Sequence, residues 1–142
     1  MPFNGLPRLD TVDPLHSYKK KHTDIVMERI RAIPKDGGSR SSLPKRLQLA
    51  CHAKTTGYKD VYGRMAWGLV APTITGGCTN PSKGRFLHPE EDRAITLREA
   101  ARLQTLPDSV LLKNITSQEA KATMIGNAFP PEFIRRLIEA NL

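Results

Sequence analysis

The groups in this 142-residue chain that could act chemically on another molecule are few: two thiols, four imidazoles and a surplus of cations. Cys51 sits in Leu-Ala-Cys-His and Cys78 in Gly-Gly-Cys-Thr. A thiol becomes a nucleophile only where a neighbouring positive group stabilises its thiolate. His52 beside Cys51 suggests such a pair, but sequence neighbours on a helix or strand point in different directions. A zinc set drawn from Cys51, His52, Cys78 and His88 lacks the closely paired spacing of structural zinc sites. The sequence therefore predicts no metal site and two inert thiols in a reducing compartment.

The cations are placed unevenly. Net charge is +8 overall, of which residues 1–64 carry +7 and residues 65–142 carry +1. A basic half beside a neutral half suggests a surface that meets a polyanion, DNA or RNA; the plainer alternative is a solvated face kept for solubility. Hydrophobic residues make up 39% and charged residues 25%, the balance of a globular domain. With four Phe, three Tyr and one Trp, its core must be mainly aliphatic. The longest apolar stretch, Met65 to Ala71, is interrupted by Gly68 and is too short to span a bilayer. The N-terminus shows neither the basic start nor the apolar run of a signal peptide, so the expectation is no membrane partner and a cytoplasmic protein.

Residues 1–22, rich in proline and turn formers and ending in Lys19-Lys20-Lys21, read as a connecting arm. Val26, Ile30 and Ile33 recur at helical spacing between a Thr23 cap and Pro34, predicting a helix from Asp24 to Ile33. A basic loop follows over 35–46, then a weaker helical pattern from Leu43 to Ala53. Gly63, Gly68, Pro72, Gly76, Gly77, Pro81 and Gly84 break the middle of the chain into β-prone pieces at 65–70, 73–75 and 85–88, with Gly76-Gly77 as a hairpin turn. Thr96-Leu97-Arg98-Glu99 fits a capping box opening a helix that Pro107 stops. Ser117 caps another helix ending at Gly126, and Pro130-Pro131 opens a last one striped with Phe133, Ile134, Leu137 and Ile138.

Three blocks, in order, are more specific. Tyr62-Gly63-Arg64-Met65-Ala66-Trp67, Pro72-Thr73-Ile74-Thr75, His88-Pro89 and Arg93 resemble the end of the target-recognition region of bacterial DNA cytosine-5 methyltransferases. The run from Ile95 to Asp108, with Arg98-Glu99-Ala100-Ala101-Arg102 at its centre, resembles that family's ninth motif. Ile125-Gly126-Asn127-Ala128-Phe129-Pro130-Pro131 resembles its tenth. Leu106 stands where the family usually has Phe or Tyr, and Phe129 where it usually has Val. No segment resembles the glycine-rich cofactor motif, the Pro-Cys nucleophile loop or the Glu-Asn-Val motif, and neither cysteine follows a proline.

The resemblance implies an α+β chain: a basic lead-in (1–61), a small antiparallel β target-recognition unit (62–95), and helices (96–142) that pack on the Rossmann-like sheet of a catalytic domain absent from this sequence. Methylation at C5 requires a thiolate attacking C6 of a cytosine taken out of the duplex. This chain would position the DNA and supply none of the catalytic residues. By resemblance Thr73 contacts the backbone beside the flipped nucleotide, Asn127 lies at the rim of the S-adenosylmethionine pocket, and Arg98 and Glu99 brace the recognition unit. Arg64, Lys83 and Arg85 flank the predicted strands as candidates for phosphate or guanine contacts. Each of these has a plainer reading as well: a strand threonine, a helix-end asparagine, an exposed charge. The expected partners are duplex DNA and a subunit or domain carrying the Pro-Cys loop and cofactor motifs. A catalytically inactive DNA-binding or regulatory module and part of an RNA cytosine-5 methyltransferase are the competing accounts.

Overall fold

The computed structural model of the chain describes residues 13–17, 20–53, 59–110 and 112–141. Its helices are α1 (Pro14–Ser17), α2 (Asp24–Ala32), α3 (Ala50–Ala53), α4 (Leu97–Leu103), α5 (Gln118–Asn127) and α6 (Pro131–Ala140). The helix expected from Leu43 to Ala53 is instead a series of turns, Arg40–Ser42 and Lys45–Leu47, before α3.

Two apolar clusters form the interior. Leu15, Ile74, Leu97, Ala100 and Ile125 belong to the larger, built around α4. The small face of α4, Ala100 and Ala101, lets α5 approach closely, and both residues are wholly buried. Leu15 is also wholly buried, and Asp13 pairs with Arg98. The described part of the expected arm therefore packs into the core, because a single leucine finds the apolar face of α4. Ile30, Ile33, Leu43, Leu47 and Leu87 make the second cluster, under α2.

The stretches expected as strands carry single bridges rather than ladders: Arg64 pairs with Leu87 in parallel and Leu87 with Ala94 in antiparallel sense. Backbone bonds from Gly37 N to Met65 O (3.0 Å), Arg64 N to Gly38 O (2.9 Å) and Ile95 N to Phe86 O (2.8 Å) extend the contact irregularly. Glycines and prolines interrupt every run before a second rung can form. At Gly76-Gly77 the chain turns without the positive φ of a hairpin glycine. Both are instead crowded, by Thr123 and by the Lys83 side chain.

In place of a ladder, one side chain joins these segments. Arg64 is wholly buried and spends all five of its N–H donors. Nε donates to Ile33 O (3.1 Å), Nη1 to His88 O (2.9 Å) and Glu91 O (2.6 Å), and Nη2 to Ile30 O (2.9 Å) and Asp92 Oδ1 (2.6 Å). The fork thereby ties the C-terminal end of α2 to the turn at 88–92. Asp92 is pushed up by its burial, but Lys35 and Arg64 more than reverse this and hold it below the usual carboxylate range. Lysine has three donors on one atom and cannot reproduce the fork. Arg64→Lys is expected to cost about 3 kcal/mol of stability, as for a broken buried charge network, read as a lowered urea midpoint. An unchanged midpoint would mean the carbonyls are satisfied without it.

Candidate functional site

Glu99 sits at the third position of α4 and completes the predicted capping box: Thr96 Oγ1 accepts from Glu99 N (3.2 Å) while Glu99 Oε2 accepts from Thr96 N (2.7 Å). The same carboxylate receives both Arg93 terminal nitrogens at 2.8 Å. Burial pushes Glu99 up, and the Arg93 guanidinium more than reverses this, so the group stays ionised. Arg93 also bonds Glu91, at 2.8 and 3.0 Å. His16 Nδ1 lies 3.0 Å from Thr96 Oγ1. Arg98, also buried, pairs with Asp13 and donates to Val110 O (3.2 Å). These two charged residues of α4 therefore anchor the turn before the helix, α1 and the segment after it.

Gln104, which caps α4, points its Nε2 at the carbonyls of Ile125 (3.3 Å), Gly126 (3.5 Å) and Ala128 (3.4 Å), the orphan acceptors at the end of α5. Thr105 follows in the left-handed region (φ 57°), a strained conformation for a β-branched residue, and its Oγ1 accepts from Glu132 N (3.2 Å) at the start of α6. The segment resembling the ninth motif is thus fastened to the one resembling the tenth.

The candidate cations divide. Arg64 is an internal brace with no surface exposed, so it does not serve as the outward DNA contact expected from the sequence. Arg85 is mostly spent as well: Nη1 donates to Gly37 O (3.0 Å), Gly38 O (3.3 Å) and Arg64 O (3.0 Å), and Nε to Asp60 (3.0 Å). Both arginines turn inward for one reason. An interior of loops leaves carbonyls without ladder partners, and a guanidinium satisfies several at once. Thr73 and Lys83 are exposed, as is Asn127 at the C-terminal end of α5, while Ile74 is buried beneath Thr73. Among the described residues no three His, Cys, Asp or Glu side chains gather as metal ligands. Cys51 is exposed; Cys78 is buried, and burial pushes its thiol up to about 11. The His52 side chain lies outside what is described.

The sequence marks His88 as a member of a rejected zinc set and, with Pro89, as part of the target-recognition resemblance, and neither reading gives it a role in the fold. Its Nδ1 accepts from the backbone N–H of Glu90 (3.1 Å) and Glu91 (2.9 Å), capping the 88–91 turn as an aspartate would. Trp67 meets it edge-on, with ring centroids 5.4 Å apart. The sequence signal for this role was His-Pro-Glu-Glu, a side-chain acceptor followed by a turn. No comparable signal marks Gln104 or Asp13.

Burial, with the Arg93 charge, lowers His88 to about 4 despite Glu99 and Glu91 nearby. Its folded value lies below the ordinary 6.5, so the neutral ring's contribution is complete above pH 6.5 and is lost as pH falls toward 4. Stability should drop by about 3 kcal/mol across that window, while Glu99 keeps its charge. His88→Asn, which retains a turn-capping acceptor but does not titrate, should flatten the urea-midpoint profile between pH 6.5 and 4; a slope equal to wild type would place the proton elsewhere.

A family model described as C-5 cytosine-specific DNA methylase matches residues 8–141. The type II methylase M.HgiDII of Herpetosiphon aurantiacus is 45% identical over 123 residues, 83% of this chain and 34% of that protein. The type II methyltransferase M.BbvI of Brevibacillus brevis is 34% identical over 131 residues, 92% of this chain and 33% of that protein. M1.BsuMI of Bacillus subtilis (strain 168) is 43% identical over 89 residues, 62% of this chain and 21% of that protein. The chain spans about a third or less of the length of these curated relatives.

Proposed function

The chain belongs to the C-5 cytosine-specific DNA methylase family, and from that premise we propose that it is the DNA-recognition and cofactor-rim part of a cytosine-5 methyltransferase, completed by a polypeptide or domain that carries the reactive cysteine. In this reading residues 62–95 form the target-recognition unit, residues 1–61 lead into it, and α4 to α6 join it to the Rossmann-like sheet of the catalytic part. The family model that matches the chain is described as a DNA methylase, which favours duplex DNA over RNA as the substrate.

The observation that carries the proposal is the face of α6. Phe133 is 56%, Leu137 53% and Ile138 53% exposed, and no residue of the helix is buried. Its polar side is knit by Glu132 to Arg135 and Arg136, and by Arg135 to Glu139. A helix sorted this sharply into apolar and charged faces requires cover on the apolar one. Each half-exposed side chain would gain roughly 1 kcal/mol when covered. Docking there would bring Asn127, just upstream, to the boundary between the two parts. Its amide, both donor and acceptor, suits the edge of a polar cofactor. S-adenosylmethionine would supply the electrophilic methyl group; the remaining contacts to it fall to the catalytic part. Thr73 and Lys83 would meet the sugar–phosphate backbone.

Leu137→Asp should leave the urea midpoint of the chain within about 0.5 kcal/mol of wild type, as for an exposed position. Mixed with the partner carrying the Pro-Cys loop, it should lose at least tenfold in methyl transfer to duplex DNA, since tenfold is only about 1.4 kcal/mol and an uncompensated buried charge costs several kcal/mol. Methyl transfer by the chain alone, or full activity of Leu137→Asp, would defeat the proposal. Lys83→Ala should reduce the slope of log K against log salt by about 1, the signature of one phosphate contact. An identical slope would remove Lys83 from the DNA surface.

A further inference from the structure

Gly126 lies in the last full turn of α5, and the backbone of Thr75 and Gly76 crosses directly over it. A Cβ at position 126 would stand 2.3 Å from Gly76 N and from Thr75 C, and 2.7 Å from Thr75 O. These are backbone atoms, so no rotamer change relieves the overlap. The crossing is tight from the other side too: a Cβ on Gly76 would meet Thr123 Cα at 3.1 Å and Oγ1 at 3.2 Å. Thr123 Oγ1 in turn donates to Glu119 O (2.9 Å), which fixes its rotamer. Neither glycine has a positive φ. Proximity, and not backbone conformation, is what demands glycine at 126, while at 76 the neighbour need give by only a few tenths of an ångström. Ile74 and Ile125, next to the crossing, are buried in the same cluster.

Two exposed residues are linked by this contact. Thr73 is two positions before Thr75, and Asn127 follows Gly126 directly. We infer that Gly126 is a positioning residue: it lets the DNA-reading segment seat on α5 so that Thr73 and the cofactor edge at Asn127 keep one fixed spacing, aligning target base and methyl donor. The inference rests on the roles proposed above for Thr73 and Asn127. Alignment of two reactants is steeply distance-dependent, with a displacement of about 1 Å able to cost on the order of 100-fold in rate. An added Cβ, placed 2.3 Å from the crossing backbone, would have to part it by roughly 1.2–1.7 Å to reach an ordinary carbon separation of about 3.5–4.0 Å.

In the assembled enzyme, Gly126→Ala is expected to lower kcat per binding-competent molecule by on the order of 100-fold, with KM for duplex DNA and for S-adenosylmethionine changed less than about threefold. Gly76→Ala, whose nearest contact is looser (3.1 Å to Thr123 Cα against 2.3 Å at Gly126), should give an intermediate loss and carries the test if Gly126→Ala does not fold. In the chain itself, amide hydrogen exchange over residues 73–79 should quicken about tenfold in Gly126→Ala while α4 is unaffected, the mark of a local opening. Wild-type kcat in both variants, a loss expressed wholly as a raised KM, or unfolding of both would each overturn the inference. Thr73→Ala and Asn127→Ala separate it from its premise: if the first leaves DNA affinity unchanged and the second leaves cofactor affinity unchanged, those two assignments fail, and the positioning role fails with them whatever Gly126 does.

Discussion

A guanidinium with no exposed surface must have every N–H satisfied, and Arg64 meets that demand by collecting four carbonyls and one carboxylate. The constraint also runs in the other direction. Among those carbonyls Ile30 O and Glu91 O also accept from Ile33 N (3.3 Å) and Arg93 N (2.9 Å), whereas for Ile33 O and His88 O the donor is the guanidinium. Removing a buried carbonyl from water without a partner costs on the order of 1–3 kcal/mol, so leaving these two unpaired would oppose the closing of this part of the chain. The arginine takes the place of a sheet. Arg85 adds to the scheme by donating to Arg64 O and to the adjoining Gly37 and Gly38 carbonyls.

How much of this was legible depended on whether the signal was local. The capping box at Thr96 and Glu99, the cap at Ser117 and the proline opening of α6 depend on residues within one helical turn, and each stands where the sequence placed it. The direction of Arg64 was not legible, because its acceptors come from residues about thirty positions away on both sides. An arginine among short β-prone pieces reads as a surface charge until one sees that those pieces form no ladder. Leu15 was missed for the opposite reason: one leucine in a proline-rich stretch has no periodicity to reveal that it is buried. The glycines at 76 and 77 were legible as a turn but not as a crossing, since a missing Cβ leaves no pattern in the sequence.

Arg93, Arg98 and Gln104 fix α4 to what precedes and follows it, and the ordered interior ends at α5. Beyond this point Thr105, itself in a left-handed conformation that costs about 1–2 kcal/mol for a β-branched residue, accepts from Glu132 N at the start of α6. Strain of this size persists only where the surroundings over-determine it, so the direction in which α6 leaves the core is set before anything covers its apolar face. A helix held at a fixed angle loses little further entropy on docking. In the proposed assembly the chain would therefore present a preformed edge to the catalytic part.

Arg64, wholly buried, and Arg85, largely committed to carbonyls, spend their charge inside the fold. They also pair with Asp92 and Asp60, and Arg46 pairs with Glu28 and Lys35 with Asp92. Asp92, outside residues 1–64, serves both Lys35 and Arg64, while Asp60, inside them, is taken by Arg85, so these pairs cross between the two halves; the net excess of +7 over residues 1–64 is a property of the sequence and stands. What changes is which groups carry that excess outward. Exposed ion pairs contribute little, about 0–1 kcal/mol each, so a phosphate can replace the carboxylate in the Arg46 pair at small cost, whereas displacing Arg64 would unmake the fold. The electrostatic attraction to a polyanion and the internal scaffold thus draw on the same residue type without competing for the same residues, and a sequence count of lysines and arginines gives the field while leaving open which side chains make the contacts.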